Sequence, residues 1–128
     1  MKLSEKRFKF WLSAYGAAWQ AKNPAAFAGL FADNALYYWT PFLAPKKGKA
    51  EIADAFTMAV GRQRDIEFGA RVLYVAAMLG AAHWSCAFTR VGTGRRVHVD
   101  GVMGVQFDES GRALSFREWW HTDESSAA

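Results

Sequence analysis

Apolar residues recur at three- and four-residue steps from Glu5 to Lys22. Phe8, Trp11, Leu12, Tyr15, Ala18 and Trp19 fall on one stripe, so this stretch predicts an amphipathic helix with Ser4 as its N-cap. Asn23-Pro24 stops that helix and starts a short second one, because Asn caps well and proline fits the first helical position, where its missing N–H is not needed. Phe27, Leu30 and Phe31 form its expected buried face. Asp33-Asn34 reads as a turn, and Leu36 to Trp39 as a strand ending at Thr40-Pro41. After a loop from Pro41 to Lys49, the residues Ile52, Ala55, Phe56, Ala59 and Val60 mark a third helix.

Beyond Gly61 the period changes to two. Four strands are predicted, from Asp65 to Val75, Met78 to Val91, Arg95 to Asp108 and Arg112 to Thr122. Gly92-Thr93-Gly94 and Asp108-Glu109-Ser110-Gly111 supply positive-φ glycines for tight hairpins, so the last three strands form an antiparallel meander. The order is ααβα followed by ββββ, without an internal repeat or linker. This is one α+β domain over residues 1–128, with helices covering one face of a sheet.

Alternation along the third of these strands puts Val97, Val99, Gly101, Met103, Val105 and Phe107 on one face and Arg96, His98, Asp100 and Gln106 on the other. The apolar set is expected to face the helices.

Composition narrows the class. Aromatic residues make up 16% of the chain, with six tryptophans, more than a core of this size needs for packing, so some rings are expected at a cavity or a subunit contact. The net charge is +4, but the basic residues fall in three short, separated clusters, which argues against a nucleic-acid partner. The lone cysteine, Cys86, lies in an apolar run and reads as a buried thiol in a reducing compartment. Met1 to Lys9 lacks the apolar core of a signal peptide, and no run is long enough to span a membrane, so a cytoplasmic protein is expected. The scattered histidines offer no metal-ligand spacing, and neither a phosphate-binding glycine loop nor a serine nucleophile elbow is present.

The opening helix with Trp11 and Tyr15, the segment NPAAFAGLFADNALYYWTPF, the helix start GKAEIADAF, the paired-glycine hairpin and the closing DGVMGVQFDESGRALSFREWW together resemble one family. It is that of the SnoaL-like polyketide cyclases and ketosteroid isomerases of the nuclear transport factor two-like superfamily. The resemblance runs from about Lys9 to Thr122. It implies a cone-shaped α+β roll, in which three helices from the N-terminal half pack on a curved antiparallel sheet around a pocket. It also implies inward positions for Trp84, Cys86 and Phe88 on one strand and Phe116, Glu118 and Trp120 on the last.

Compared with the isomerases, Tyr15 stands at the position of the oxyanion-hole tyrosine. Thr40, before Pro41, replaces their general-base aspartate, and Met103 replaces the protonated aspartate that completes their oxyanion hole. Glu118 is then a carboxylate on an aromatic wall, where desolvation raises the pKa toward the range of a general acid or base working near neutrality. The competing reading is that Glu118 pairs with an arginine or a backbone N–H and anchors the strand end.

The leading expectation is a homodimer that binds a small hydrophobic, oxygenated or cyclic molecule, with Glu118 and Tyr15 as catalytic residues. The pocket is expected to include Trp19, Tyr38, Thr40, Phe42, Phe56, Trp84, Phe88, Met103, Phe116 and Trp120. A cofactor-free isomerase, cyclase or hydratase fits these parts. Two alternatives stand beside it: a non-catalytic ligand-binding or protein-interaction domain, and an epoxide-hydrolase-like enzyme using Arg96, His98 and Asp100, should a β-bulge turn that row inward. Otherwise the row is expected at a subunit contact with His83, Arg117, Trp119 and His121. A cavity of about 300 Å³ or more reaching Glu118 separates ligand binding from a filled interior.

Overall fold

The computed structural model describes residues 2–124. Helix α1 spans Glu5–Gln20, and the Ser4 side chain accepts the Arg7 backbone N–H. Phe8, Trp11, Leu12, Tyr15 and Ala18 are buried along its inner stripe. Lys22, at φ 53°, turns the chain sharply, and Asn23 caps α2 (Pro24–Ala28) through the Ala26 backbone N–H. Strand β1 begins directly after, at Phe31–Tyr38. Phe31 therefore belongs to the sheet rather than to the second helix. Asp33-Asn34, expected as a turn, lies inside β1 as exposed residues where the register shifts between Phe31 and Leu36.

A two-residue strand, β2 (Lys46–Lys47), leads into α3 (Gly48–Val60). The long strands follow as β3 (Gln63–Ala76), β4 (Leu79–Arg90), β5 (Arg96–Phe107) and β6 (Ala113–Glu124). Gly94 and Gly111 adopt positive φ in the last two hairpins, as their turns require. The Asp108 side chain closes the final turn by accepting from Ser110 and the Arg112 backbone N–H.

The six strands form one curved, open sheet in the order β2-β1-β6-β5-β4-β3. The β3–β6 meander is antiparallel throughout, whereas β1 runs parallel to β6, pairing Tyr37 with Phe116 and Tyr38 with Arg117. The sheet is therefore mixed, and hairpin signals encode neither the parallel pair nor the short β1–β2 pairing. Helices and sheet enclose a largely aromatic core: Phe27 stacks on Phe56 at 4.1 Å between ring centroids and so ties α2 to α3. Val97, Val99, Met103, Val105 and Phe107 of β5 are all buried, as alternation requires.

Candidate active site

Three buried polar side chains meet where α1, β1 and β6 converge. Tyr15 projects from the inner stripe of α1, Tyr37 from the inward parity of β1, and Glu118 from that of β6. The Tyr15 and Tyr37 hydroxyls are 3.3 Å apart, and the Tyr37 hydroxyl donates to Glu118 Oε1 at 3.3 Å. The ring of Phe116 holds the two phenols in place, stacked on Tyr37 at 4.5 Å and on Tyr15 at 5.6 Å. Glu118 is 6% exposed and has no ion-pair partner among the described residues. The strand-anchoring ion pair is thus not formed.

Burial pushes the Glu118 carboxyl up to about 8, against the opposing effect of the Tyr37 hydrogen bond. Burial, followed by the nearby Glu118 charge, also raises both tyrosines well above their ordinary value. All three groups hold their protons at neutral pH. Across the sheet, Glu118 lies directly opposite Met103 in the β5–β6 register.

These groups floor a cavity of about 50 Å³, walled by Trp19, Phe27, Trp39, Phe56, Val60 and Gln63. That volume accommodates a functional group of a few heavy atoms. It falls well short of the 300 Å³ expected of a pocket that swallows a whole ligand. The aromatic side chains largely fill the interior.

Trp19 and Phe56 line this cavity, and Trp19 Nε1 donates to Gln63 Oε1 at 2.8 Å. Trp84, Phe88, Met103 and Phe116 are buried in the core but do not line it. The indole N–H of Trp84 finds no acceptor there. Trp120 is half-buried and donates to the Trp39 carbonyl. Tyr38 turns away from the interior and carries the Arg117 guanidinium over its ring at 3.7 Å. Phe42 is 96% exposed, and with Thr40 it borders a separate outer groove that reaches Trp119, Trp120, His121 and the Glu118 position. Tyr38 and Phe42 thus correct the expected lining: the inward tyrosine of β1 is Tyr37. Sequence reasoning also missed Trp39 and Gln63. The signal available for Tyr37 was its adjacency to Tyr38, which left only the parity to choose.

The Arg96–His98–Asp100 row is on the outer face, where β4 and β5 pair without a register shift. Asp100 bonds His83 at 2.9 Å rather than His98, and Arg96 bonds the Asp65 carbonyl and Thr89. Water activation of the epoxide-hydrolase kind by this row has no interior to act in. Cys86 is buried, and burial raises its thiol to about 12, so it is not a nucleophile at neutral pH. Among the described residues, no group of three or more His, Cys, Asp or Glu side chains is arranged to hold a metal ion. No helix among them is long and apolar enough to cross a membrane.

Helices over an open, curved six-stranded sheet, with a tyrosine of the first helix inside, define an α+β cone of the nuclear transport factor two-like type. Residues 12–116 match the SnoaL-like domain: the chain belongs to that family. The ketosteroid isomerase of Mycobacterium sp. superimposes with a TM-score of 0.78 at 17% identity, over 93% of this chain and 98% of that one. The epoxide hydrolase/cyclase-like enzyme SalBIII, of pyran ring formation in salinomycin, gives 0.81 at 18% identity over 94% and 95%. A protein of ketosteroid isomerase-like fold from Catenulispora acidiphila, in complex with trimethylamine, gives 0.76 at 17% over 85% and 83%. No protein of curated function matches the chain in sequence.

Proposed function

We propose that the chain binds a small apolar molecule through a carbonyl-type oxygen, and that Glu118, as a neutral acid, acts with Tyr37 and Tyr15 to hold that oxygen and pass it a proton. The observation that carries this reading is the Tyr15–Tyr37–Glu118 network flooring a cavity, with its carboxyl raised to about 8. An acid kept neutral by an apolar site donates a hydrogen bond to developing negative charge, and does so without reorganisation. The register adds a reason. Met103 occupies the place where the resemblance puts the isomerases' protonated aspartate, and Glu118 is its direct cross-strand neighbour. The second donor is then restored from the adjacent strand.

In this chemistry the substrate oxygen enters the cavity, the Tyr15 hydroxyl donates to it while Tyr37 holds Glu118, and Glu118 transfers its carboxyl proton as charge builds on the oxygen. The carboxylate left behind takes a proton back from the substrate carbon in isomerisation or cyclisation, or from the adding water in hydration. Cofactor-free isomerisation, cyclisation or hydration suits that sequence. Thr40 supplies no base, so proton abstraction from carbon rests on Glu118 alone.

Calorimetric titration with 4-ethylphenol, whose oxygen imitates an enolic one, tests the reading. Glu118→Leu is expected to weaken binding at least tenfold, whereas Glu118→Gln, which retains a donor, weakens it far less. Equal affinity of both variants and wild type would refute the reading.

The filled interior favours a second reading, a non-catalytic domain whose aromatics serve packing. It predicts no saturable 4-ethylphenol binding at millimolar concentration.

The proposal includes a cytoplasmic homodimer. His83, Val102 and Trp119 form one row across β4, β5 and β6 on the outer face, and Val102 and Trp119 are 41% and 48% exposed. Covering such a row against its two-fold copy removes it from water. Light scattering at micromolar concentration checks this: a monomeric mass contradicts it.

A further inference from the structure

A second depression meets the inner cavity at Trp39 and Ala59, which line both. It is a groove of about 500 Å³ between α3 and the loop after β1. Its floor is apolar: Leu43 and Met58 lie in it, 59% and 68% exposed. Its charged lining is of one sign, Lys46 and Arg62. Neither forms an ion pair among the described residues, although the chain pairs Lys9, Lys49, Arg64 and Arg90 with carboxylates elsewhere. No acidic side chain lines the groove.

Large exposed apolar side chains beside two unpartnered cations match a particular chemistry: an apolar body ending in an anion. Lys and Arg reach such an anion while their stems lie along apolar surface. The inner cavity, at about 50 Å³, has room for the reacting group only, so the rest of any substrate must lie outside it. Two grooves adjoin that cavity, the outer one at Glu118 and this one at Trp39 and Ala59, and of the two only this one is lined by Lys or Arg.

We infer that the substrate is an apolar carboxylic acid: its oxygen-bearing end inserts past Trp39 and Ala59 toward Glu118, its body lies in the groove along Leu43 and Met58, and its carboxylate is held by Arg62 and Lys46. This rests on the proposed role of Glu118 for the direction of insertion, while the anion site stands on the groove itself. Arg62 and Lys46 are binding residues here and take no part in proton transfer.

The test compares ω-(4-hydroxyphenyl)alkanoates carrying one to five methylenes with 4-ethylphenol, by calorimetry at low salt. The best-matched acid is expected to bind about tenfold more tightly, the combined effect of two solvent-screened charge contacts of about threefold each. Raising the salt to about 0.5 M removes most of the gain. Lys46→Ala combined with Arg62→Ala abolishes it and leaves 4-ethylphenol binding unchanged. If no acid outbinds 4-ethylphenol, or the gain survives the double substitution, the inference is overturned. The two readings fail separately. An acid gain lost with Arg62 and Lys46 but insensitive to Glu118→Leu keeps the anion site and removes the role of Glu118. A Glu118-dependent 4-ethylphenol site without an acid gain does the reverse.

Discussion

Replacing Glu118 by glutamine tests the most consequential physical statement about this protein, that a carboxyl group is held neutral in its core. Folding raises that group from 4.5 to about 8. The folded state therefore binds the proton more tightly than the unfolded chain, and this group's contribution to stability is fully present below about pH 4.5, where both states are protonated. As pH rises from 4.5 to 8 the unfolded chain ionises first, so stability falls, levelling off above 8. At about 1.4 kcal/mol per unit, the full loss is ~5 kcal/mol, comparable to the whole stability of a modest domain. Glutamine cannot ionise and carries no such slope. Its amide costs about 1 kcal/mol where a donor is left unpaired in an apolar cavity. The variant should therefore match or fall slightly below wild type at pH 5 and exceed it by about 3–4 kcal/mol at pH 9. Urea unfolding followed by tryptophan fluorescence at unit pH steps measures both curves, and taking their difference cancels the other titrating groups. Parallel curves from pH 5 to 9 would show that Glu118 ionises in the folded protein as it does in water, and the argument from burial would fall.

Tyr37→Phe removes the hydrogen bond that lowers the Glu118 pKa, so the midpoint of the pH-dependent stability loss should move upward, at a cost of about 1 kcal/mol at low pH; an unmoved or lowered midpoint in the same unfolding series contradicts the network. Gly101→Ala should destabilise by about 3 kcal/mol or more in thermal unfolding, because the added Cβ would run into the Trp119 carbonyl oxygen, a backbone atom that cannot step aside. Wild-type stability in that variant would refute the close approach. Despite its likeness to the Mycobacterium isomerase, the chain should not turn over 5-androstene-3,17-dione measurably in the standard absorbance assay. Thr40 cannot serve as base, which forfeits about 10²–10⁴-fold, and a cavity of about 50 Å³ excludes the steroid rings. Robust isomerisation would sink both arguments.

Local pattern alone placed much of this. The helical stripe of α1 names its buried residues because a 3.6-residue period assigns each position to a face whatever packs against it. The glycines at 94 and 111 pin the hairpins, since few other residues take that backbone at low cost. Strict alternation along β5 puts Val97, Val99, Met103, Val105 and Phe107 inside, whereas the inward place of Glu118 on β6 came from the family resemblance.

Tertiary structure decided the rest. Tyr37, not Tyr38, faces the interior because β1 shifts register near Asp33-Asn34 and then pairs in parallel with β6, a contact between segments about 80 residues apart in sequence that no local signal encodes. Cavity volume is likewise absent from the pattern of apolar positions. The same inward aromatics enclose either a pocket or a filled core, and here the Phe116, Tyr37 and Tyr15 stack leaves about 50 Å³. The elevation of Glu118 also belongs to the assembled fold, because a carboxyl's pKa depends on the water excluded around it, and that exclusion requires α1, β1 and β6 to close together over the side chain.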